Sequence, residues 1–153
     1  MPIRPAAPGD LDAIDTLYQL LFAEMARLQP ESCRAAGPDR HFLEVALSDG
    51  TAAVLVAEEE GQVLGFALLQ EQETPDFCCI VPHRFAYLMD LCVHPEARGR
   101  GLGSSLLSAV KDWARTRGLD YVELNVLDEN KGAIRLYERA GFSPTMHRMR
   151  LGL

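Results

Sequence analysis

The sequence predicts an α/β (α+β) domain built around a mixed, mostly antiparallel sheet. Two observations support this prediction. Apolar residues recur at three- and four-residue steps in some segments and form short, nearly continuous runs in others, which are the patterns of amphipathic helices and buried strands. The 153 residues, 48% of them hydrophobic with a mean hydropathy of −0.04, also suffice for one compact core. We therefore expect a single domain over residues 1–153.

The first half of the chain begins with two predicted helices. The first starts at Asp10, a predicted N-cap residue, and its apolar stripe consists of Leu11, Ile14, Leu17, Leu21, Met25 and Leu28. The second is expected between residues 38 and 50. Two strands follow, over residues 51–58 and 62–71, and the charged turn EEEG joins them. Both strands are apolar nearly throughout, so we expect them in the interior of the sheet.

The second half alternates strands with helices. Residues 72–84 contain two prolines and little periodicity, so we expect a loop there. A helix over residues 102–117 is predicted to end at Gly118, because glycine readily adopts the left-handed conformation that closes a helix. The other predicted elements are a strand over 85–93, a strand over 121–127, a helix over 130–140 and a final strand over 145–151.

The turn between the third strand and the third helix carries the most informative motif. Its sequence, RGRGLG, places glycine at every second position immediately before a helix. Glycines allow the backbone to approach a ligand closely and to adopt dihedral angles closed to other residues, and the free amides at a helix N-terminus attract anions. The arginines and a serine of the first helical turn add further donors. The motif predicts a phosphate or pyrophosphate site formed by Arg98, Gly99, Arg100, Gly101, Leu102, Gly103 and Ser104.

The residues of this motif leave other interpretations open. One is a glycine-rich turn with solvated arginines. A Walker P-loop is excluded, because GxxxxGK[ST] is absent and no lysine follows the last glycine. A dinucleotide-binding fingerprint matches at Gly99 and Gly101, and Glu123 lies at a suitable distance. Ser104, however, stands where that fingerprint requires its third glycine.

Two linked motifs resemble those of the GCN5-related N-acetyltransferase (GNAT) family. The central signature of that family, Gln/Arg-x-x-Gly-x-Gly/Ala after a strand, matches residues 98–103. Its second signature matches Asn130, Ala133, the sequence LYE at 136–138 and the sequence GF at 141–142. The resemblance covers nearly the whole chain. It implies a GNAT fold with one central sheet of six to seven strands and about four flanking helices.

The resemblance also implies that acetyl-CoA is the acyl donor. The pyrophosphate would lie on the amides of residues 98–104, and the pantetheine arm would pair like an additional strand where the sheet splays around a bulge. A main-chain amide near that bulge would polarise the thioester carbonyl. Tyr137 would protonate the departing thiolate. The residues implied beside the pantetheine arm are Leu91, Cys92, Val93 and Asn130.

The resemblance implies direct transfer in a ternary complex. An alkylammonium acceptor must first lose a proton, so this reaction requires a base or a water relay. Ribosomal-protein N-terminal acetyltransferases of this family carry a glutamate five residues before the asparagine. This chain has Asn125 there, and an amide cannot act as a base. Glu123 should face the same side of that strand and is our first candidate; Asp90 is the second. Either carboxylate could instead be solvated or hydrogen-bonded, and Cys92 is expected to be a buried thiol.

Composition and charge argue against several classes of protein. With 15 Lys+Arg against 22 Asp+Glu, the net charge of −7 disfavours sequence-independent nucleic-acid binding. No run approaches the roughly 20 apolar residues of a membrane span, and acids stand where a signal peptide would be apolar. The four cysteines and four histidines show no zinc-binding spacing. We therefore expect a cytoplasmic protein without a metal, a nucleic-acid partner or a membrane partner.

The leading functional hypothesis is N-acetylation of a small cationic amine. Residues 41–83 contain eight acids and no Lys or Arg, a distribution that would attract a cation, although acidic faces also serve solubility alone. Residues 98–153 carry 10 basic and 6 acidic side chains and would suit the phosphates of acetyl-CoA. Acetylation of a protein N-terminus or lysine, and binding of acetyl-CoA without catalysis, remain alternatives. Homodimers are common among similar proteins, and the sequence leaves the oligomeric state of this chain open.

Overall fold

A five-stranded sheet forms the centre of the protein in a computed structural model, which describes residues 3–153. The strands lie in chain order across the sheet: β1 (Ile3–Pro5), β2 (Ala52–Glu59), β3 (Gln62–Glu73), β4 (Arg84–Val93) and β5 (Val122–Leu124). The first four are antiparallel neighbours, whereas β5 joins the edge parallel to β4. The prediction of a mixed, mostly antiparallel sheet is confirmed, with β2 and β3 in its interior.

Four α-helices flank the sheet, as expected. They are α1 (Leu11–Leu28), α2 (Arg40–Ser48), α3 (Leu102–Thr116) and α4 (Lys131–Arg139). The carboxylate of Asp39 caps α2 by accepting hydrogen bonds from the amides of His41 and Phe42 at 3.0 and 3.3 Å. Gly118, with a φ of 67°, follows α3 in the left-handed conformation that its sequence position predicts.

The sheet separates two hydrophobic clusters. Helices α1 and α2 cover one face, where the ring of Phe66 is fully buried and lies 4.5 Å from the ring of Tyr18. Helix α3 covers the other face, where Leu106 and Val110 are fully buried, and apolar residues of α4 pack beside it. Because successive side chains of a strand point to opposite faces, β3 is buried on both sides. This double burial accounts for its nearly continuous apolar sequence.

Asp10 stands at the predicted N-cap of α1, but its side chain does not cap that helix. The carboxylate accepts a hydrogen bond from the amide of Ala7 at 2.7 Å, and it forms two hydrogen bonds with Arg4 at 2.7 and 2.9 Å. Arg4 lies in β1, a strand that the sequence analysis did not predict. The ion pair therefore draws the carboxylate away from the helix amides and ties α1 to the sheet edge.

The predicted sheet of six to seven strands is larger than the one observed, and the strand predicted over 145–151 is wrong. Among the described residues, those from 143 to 153 form no helix or strand and are all exposed. No neighbouring strand lies beside this segment to supply backbone partners, and without them its apolar pattern cannot become a strand. The strand predicted over 121–127 shortens to Val122–Leu124 for a related reason, since β4 diverges from it.

No helix within residues 3–153 combines the length and the hydrophobicity needed to cross a membrane.

Candidate active site

The sheet opens between β4 and β5. The two strands pair from Ala86 opposite Val122 to Leu88 opposite Leu124, and β4 then continues to Val93 without a neighbour on that side. A bulge lies at the same point, because Leu69 pairs with Leu88 and Leu68 with Asp90, which leaves Met89 as an additional residue. A bulge bends its strand and increases the local twist. The far half of β4 therefore borders a gap rather than another strand.

The RGRGLG turn lies between the end of β4 and the start of α3. Gly99 and Gly101 have φ values of 79° and 82°, so both occupy the left-handed region that favours glycine. Gly101 is the N-cap of α3, and no side chain caps this helix. The amides of residues 102–104 have no hydrogen-bond acceptor within residues 3–153. These donors lie at the positive end of the helix dipole and form a suitable anion site.

Gly103 serves a different purpose from the other two glycines of the motif. Its φ is not in the left-handed region, so its backbone conformation does not require glycine, contrary to our expectation. A Cβ atom at this position would approach the Cδ2 atom of Leu136 to 3.0 Å. The absence of a side chain at Gly103 therefore allows α3 and α4 to pack closely. This contact holds the second signature of the chain next to the first.

The two arginines of the turn differ in their partners. Arg98 donates from Nε to the carbonyl oxygen of Val93 at 3.2 Å, which holds its guanidinium beside the end of β4. Arg100 instead forms an ion pair with Glu59 at 3.0 Å and donates to the carbonyl oxygen of Glu96 at 3.3 Å. Arg98 thus keeps more donors available for an anion than Arg100, which would have to leave Glu59 to use its charge.

Two residues of the second signature belong to α4 and its N-cap. The Oδ1 atom of Asn130 caps the helix by accepting a hydrogen bond from the amide of Ala133 at 3.2 Å, which leaves the Nδ2 group as a donor. Tyr137 packs edge-on against Phe142, with ring centroids 5.7 Å apart. Burial and the charge of Asp90 raise the pKa of Tyr137 to about 12. The phenol therefore stays protonated at neutral pH and can donate a proton.

Asp90 lies at the bulge of β4 and is half-buried. Its carboxylate accepts a hydrogen bond from the hydroxyl of Tyr18 at 2.7 Å. Burial raises the pKa of Asp90 to about 6, and the hydrogen bond from Tyr18 opposes that rise. A carboxylate with this pKa is ionised at neutral pH and is a stronger base than an exposed aspartate. The sequence analysis missed Tyr18, because no local pattern indicates a partner 72 positions away.

The other carboxylate candidate has a different environment. Glu123 is exposed on β5, where it stands opposite Tyr87 in the strand pairing. The neighbouring Asn125 donates from Nδ2 to the hydroxyl of Tyr87 at 3.1 Å. Of the two candidates, only Asp90 lies on the part of β4 that borders the gap.

Cys92 is a buried thiol in the hydrophobic cluster that α1 and α2 cover. Its sulfur donates to the carbonyl oxygen of Leu17 at 3.5 Å, and burial raises its pKa to about 11. The thiolate needed for nucleophilic attack is therefore scarce at neutral pH. Cys78 and Cys79 are exposed free thiols. Within residues 3–153, no three His, Cys, Asp or Glu side chains come together as metal ligands would.

Comparison with known proteins decides the family. The profile of the Acetyltransferase (GNAT) family matches residues 14–142. The chain belongs to this family. It is 34% identical over 145 residues to the uncharacterized N-acetyltransferase YhfO of Bacillus subtilis (strain 168), covering 93% of this chain and 89% of that protein. It is 32% identical over 151 residues to the thialysine N-epsilon-acetyltransferase of Bos taurus, covering 91% and 82%.

A solved structure supports the same fold for this GNAT chain. The tetramutant of the BH1408 protein from Bacillus halodurans superimposes with a TM-score of 0.94, at 24% sequence identity and with 100% of each chain covered. Membership of the family and the similarity to named N-acetyltransferases identify the protein as an N-acetyltransferase enzyme.

Replacement of Asp90 by asparagine should change the pH dependence of stability. The pKa of Asp90 is about 6 in the folded protein and about 4 in an unfolded chain, so the folded state binds this proton more tightly. The resulting stabilisation is complete below about pH 4 and is lost as the pH rises through about 6. The amide of asparagine does not titrate between these pH values, so the variant lacks this contribution to the pH dependence. Relative to the parent, the free energy of unfolding of Asp90→Asn should rise by about 2 kcal/mol from about pH 4 to about pH 8.

Urea denaturation at a series of pH values measures this difference. Glu123→Gln is the matched control, because Glu123 is an exposed carboxylate on the adjacent strand. Its unfolding curves serve as the reference for removing a carboxylate that is exposed. If Asp90→Asn behaved like the control, the proposed burial of the Asp90 charge would be incorrect.

Proposed function

We propose that this GNAT enzyme transfers an acetyl group from acetyl-CoA directly to the primary amine of a small cationic molecule. The observation that carries this proposal is the gap beside β4. Unpaired amides lie at one end of this gap, after the RGRGLG turn, and Asp90 and Tyr137 lie close enough for the charge of one to raise the pKa of the other. These positions support our inference that an anion site and two groups able to move protons line one cleft.

Acetyl-CoA would supply the activated acyl group, and residues of this chain would hold it. The amides of residues 102–104, together with Arg98 and the hydroxyl of Ser104, suit a pyrophosphate. The main chain of residues 91–93 borders the gap and suits a pantetheine arm, whose amides pair as a strand does. The free Nδ2 group of Asn130 can donate to a pantetheine carbonyl. A main-chain amide near Val93 would stabilise the oxyanion.

Proton transfer would be divided between two residues. Asp90, ionised at neutral pH, would accept the proton of the acceptor ammonium, directly or through water. The neutral amine nitrogen would then bond to the thioester carbon as the carbon–sulfur bond breaks, and Tyr137 would give its proton to the departing thiolate. Environments that hold one group ionised and the other protonated are typical of an acid–base pair. Glu123 was our first candidate base, but burial and position now favour Asp90.

The choice of a small cationic acceptor rests on the local charges and on the relatives. Three of the eight acids between residues 41 and 83 pair with arginines: Glu58 with Arg4, Glu59 with Arg100, and Glu71 with Arg84 and Arg117. Their field is therefore weaker than their number suggests. Asp90 and Glu123 have no cationic partner within residues 3–153. Asp90 lies beyond the point where β4 and β5 diverge, whereas Glu123 lies in the paired stretch just before it. The bovine relative is named for acetylation of thialysine, a small amine.

A panel of acceptors tests this proposal. The full-length protein should release free thiol from acetyl-CoA when offered small primary amines such as polyamines, amino acids and amino sugars. Peptides with a free N-terminus or an internal lysine should give little release, because the cleft lacks the glutamate at position 125. Turnover with peptides alone would favour a protein acetyltransferase. Binding of acetyl-CoA without transfer to any acceptor would contradict catalysis.

Replacement of Tyr137 by phenylalanine tests the proposed acid. The substitution removes only the hydroxyl, so the turnover number should fall by about 10²-fold while the affinity for acetyl-CoA stays nearly unchanged. Tyr121→Phe is the matched control, because Tyr121 is stacked on Phe85 at 5.0 Å at the other end of β5. Its turnover should equal that of the parent. Unchanged turnover in Tyr137→Phe, under conditions in which chemistry is rate-limiting, would remove Tyr137 from this role.

A further inference from the structure

An ion pair connects the RGRGLG turn to the end of β2. The Nη1 atom of Arg100 lies 3.0 Å from the Oε2 atom of Glu59, and its Nη2 atom donates to the carbonyl oxygen of Glu96 at 3.3 Å. Both terminal nitrogens of this guanidinium therefore have acceptors within the chain itself. The guanidinium is held at the β2–β3 hairpin, although Arg100 stands between the two left-handed glycines and next to the unpaired amides of α3.

The hairpin fixes the position of Glu59. Glu59 is the last residue of β2 and pairs with Gln62, the first residue of β3. Only Glu60 and Gly61 separate the two strands, and their φ values of 51° and 78° are positive, as tight two-residue turns commonly require. The side chain of Glu59 is 25% exposed, whereas that of Arg100 is 50% exposed. The guanidinium, rather than the carboxylate, is therefore the partner that can move.

The surroundings of this ion pair are acidic. A cleft lies between the hairpin, the start of α1 and residues 94–97, and Arg100 is the one Lys or Arg among the described residues that line it. The carboxylates that line the same cleft are those of Asp10, Glu59, Glu60 and Glu96. Negative charge on this side of the turn offsets the charge of Arg100. The closed ion pair therefore adds little to the attraction of the turn for an anion.

We propose that Glu59 is a positioning residue that competes with the pyrophosphate of acetyl-CoA for the guanidinium of Arg100. When acetyl-CoA binds, Arg100 exchanges the carboxylate for phosphate oxygens, which a guanidinium can contact in a bidentate manner. Breaking the ion pair costs part of the binding free energy, so Glu59 lowers the affinity for the donor. The product CoA carries the same pyrophosphate, so the competition also favours its release. This inference rests on the proposed function, which assigns the pyrophosphate to the turn.

Calorimetric titration of the full chain with CoA tests the competition. Glu59→Gln removes the charge but keeps the size of the side chain, so the dissociation constant should fall about threefold or more at low ionic strength. Glu58→Gln is the matched control, because Glu58 is the preceding residue of β2, is 32% exposed and pairs with Arg4. Its affinity for CoA should change clearly less. Unchanged or weaker binding by Glu59→Gln would overturn the proposal.

A double-mutant cycle tests whether Glu59 acts through Arg100. In the background of Arg100→Gln, Glu59→Gln should no longer change the affinity for CoA, because no guanidinium is left to release. An equal gain in that background would mean that Glu59 acts through its own charge, and the proposal would be wrong. Both side chains are partly exposed, so neither substitution should prevent folding.

Dephospho-CoA identifies the phosphate that Arg100 contacts. This compound lacks the phosphate on the ribose but keeps the pyrophosphate, so Glu59→Gln should tighten its binding as much as it tightens the binding of CoA. A gain confined to CoA would assign Arg100 to the ribose phosphate and would overturn competition with the pyrophosphate.

The Gly101→Glu variant separates failure of this proposal from failure of the proposed function. A parent protein that does not bind CoA, or an affinity that survives Gly101→Glu, would contradict the placement of the pyrophosphate itself. Binding that is lost in Gly101→Glu but does not respond to Glu59→Gln would overturn only the competition by Glu59.

Discussion

The divergence of β5 from β4 is the constraint on which the rest of the site depends. Main-chain pairing stops at Leu88 and Leu124, and the bulge at Met89 turns the far half of β4 away from its neighbour. The backbone N–H and C=O groups of β4 that would form hydrogen bonds in a continuous sheet are therefore left without strand partners beside the gap. The same strand leads into the glycine turn, so the unpaired amides of α3 lie at the end of that cleft. One local irregularity therefore joins the proposed anion site to a strip of unpaired main chain.

Burial raises the pKa values of the two ionisable groups to which we assign opposite tasks in the proposed mechanism. Asp90 keeps a pKa of about 6, and the phenol of Tyr137 is held protonated, with a pKa of about 12. The hydrogen bond from Tyr18 fixes the carboxylate and limits the rise of its pKa. Burying the charge of Asp90 lowers the free energy of unfolding at neutral pH. Such a cost is common where a group must act as a base near neutral pH.

Much of the fold could be predicted from the sequence, because its signals are local. Apolar periodicity located the four helices and the three long strands, and the RGRGLG turn indicated both left-handed glycines. Contacts distant in sequence left no such signal. The pairing of Arg4 with Asp10, the hydrogen bond from Tyr18 to Asp90 and the contact of Gly103 with Leu136 depend on the assembled fold. The apolar pattern of residues 145–151 predicted a strand that is not formed, because a strand also needs a neighbour for its backbone groups, and local sequence does not show whether one is present.

The affinity for CoA in two glycine variants tests the central claim most directly. Gly101 and Gly118 both have a positive φ, and no atom lies within 4 Å of a Cβ built at either position, so a glutamate strains both backbones similarly. Only Gly101 adjoins the unpaired amides. Calorimetric titration should show that Gly101→Glu lowers the affinity for CoA by more than about tenfold, whereas Gly118→Glu binds like the parent. Parental affinity in Gly101→Glu would contradict the placement of the phosphates on this turn.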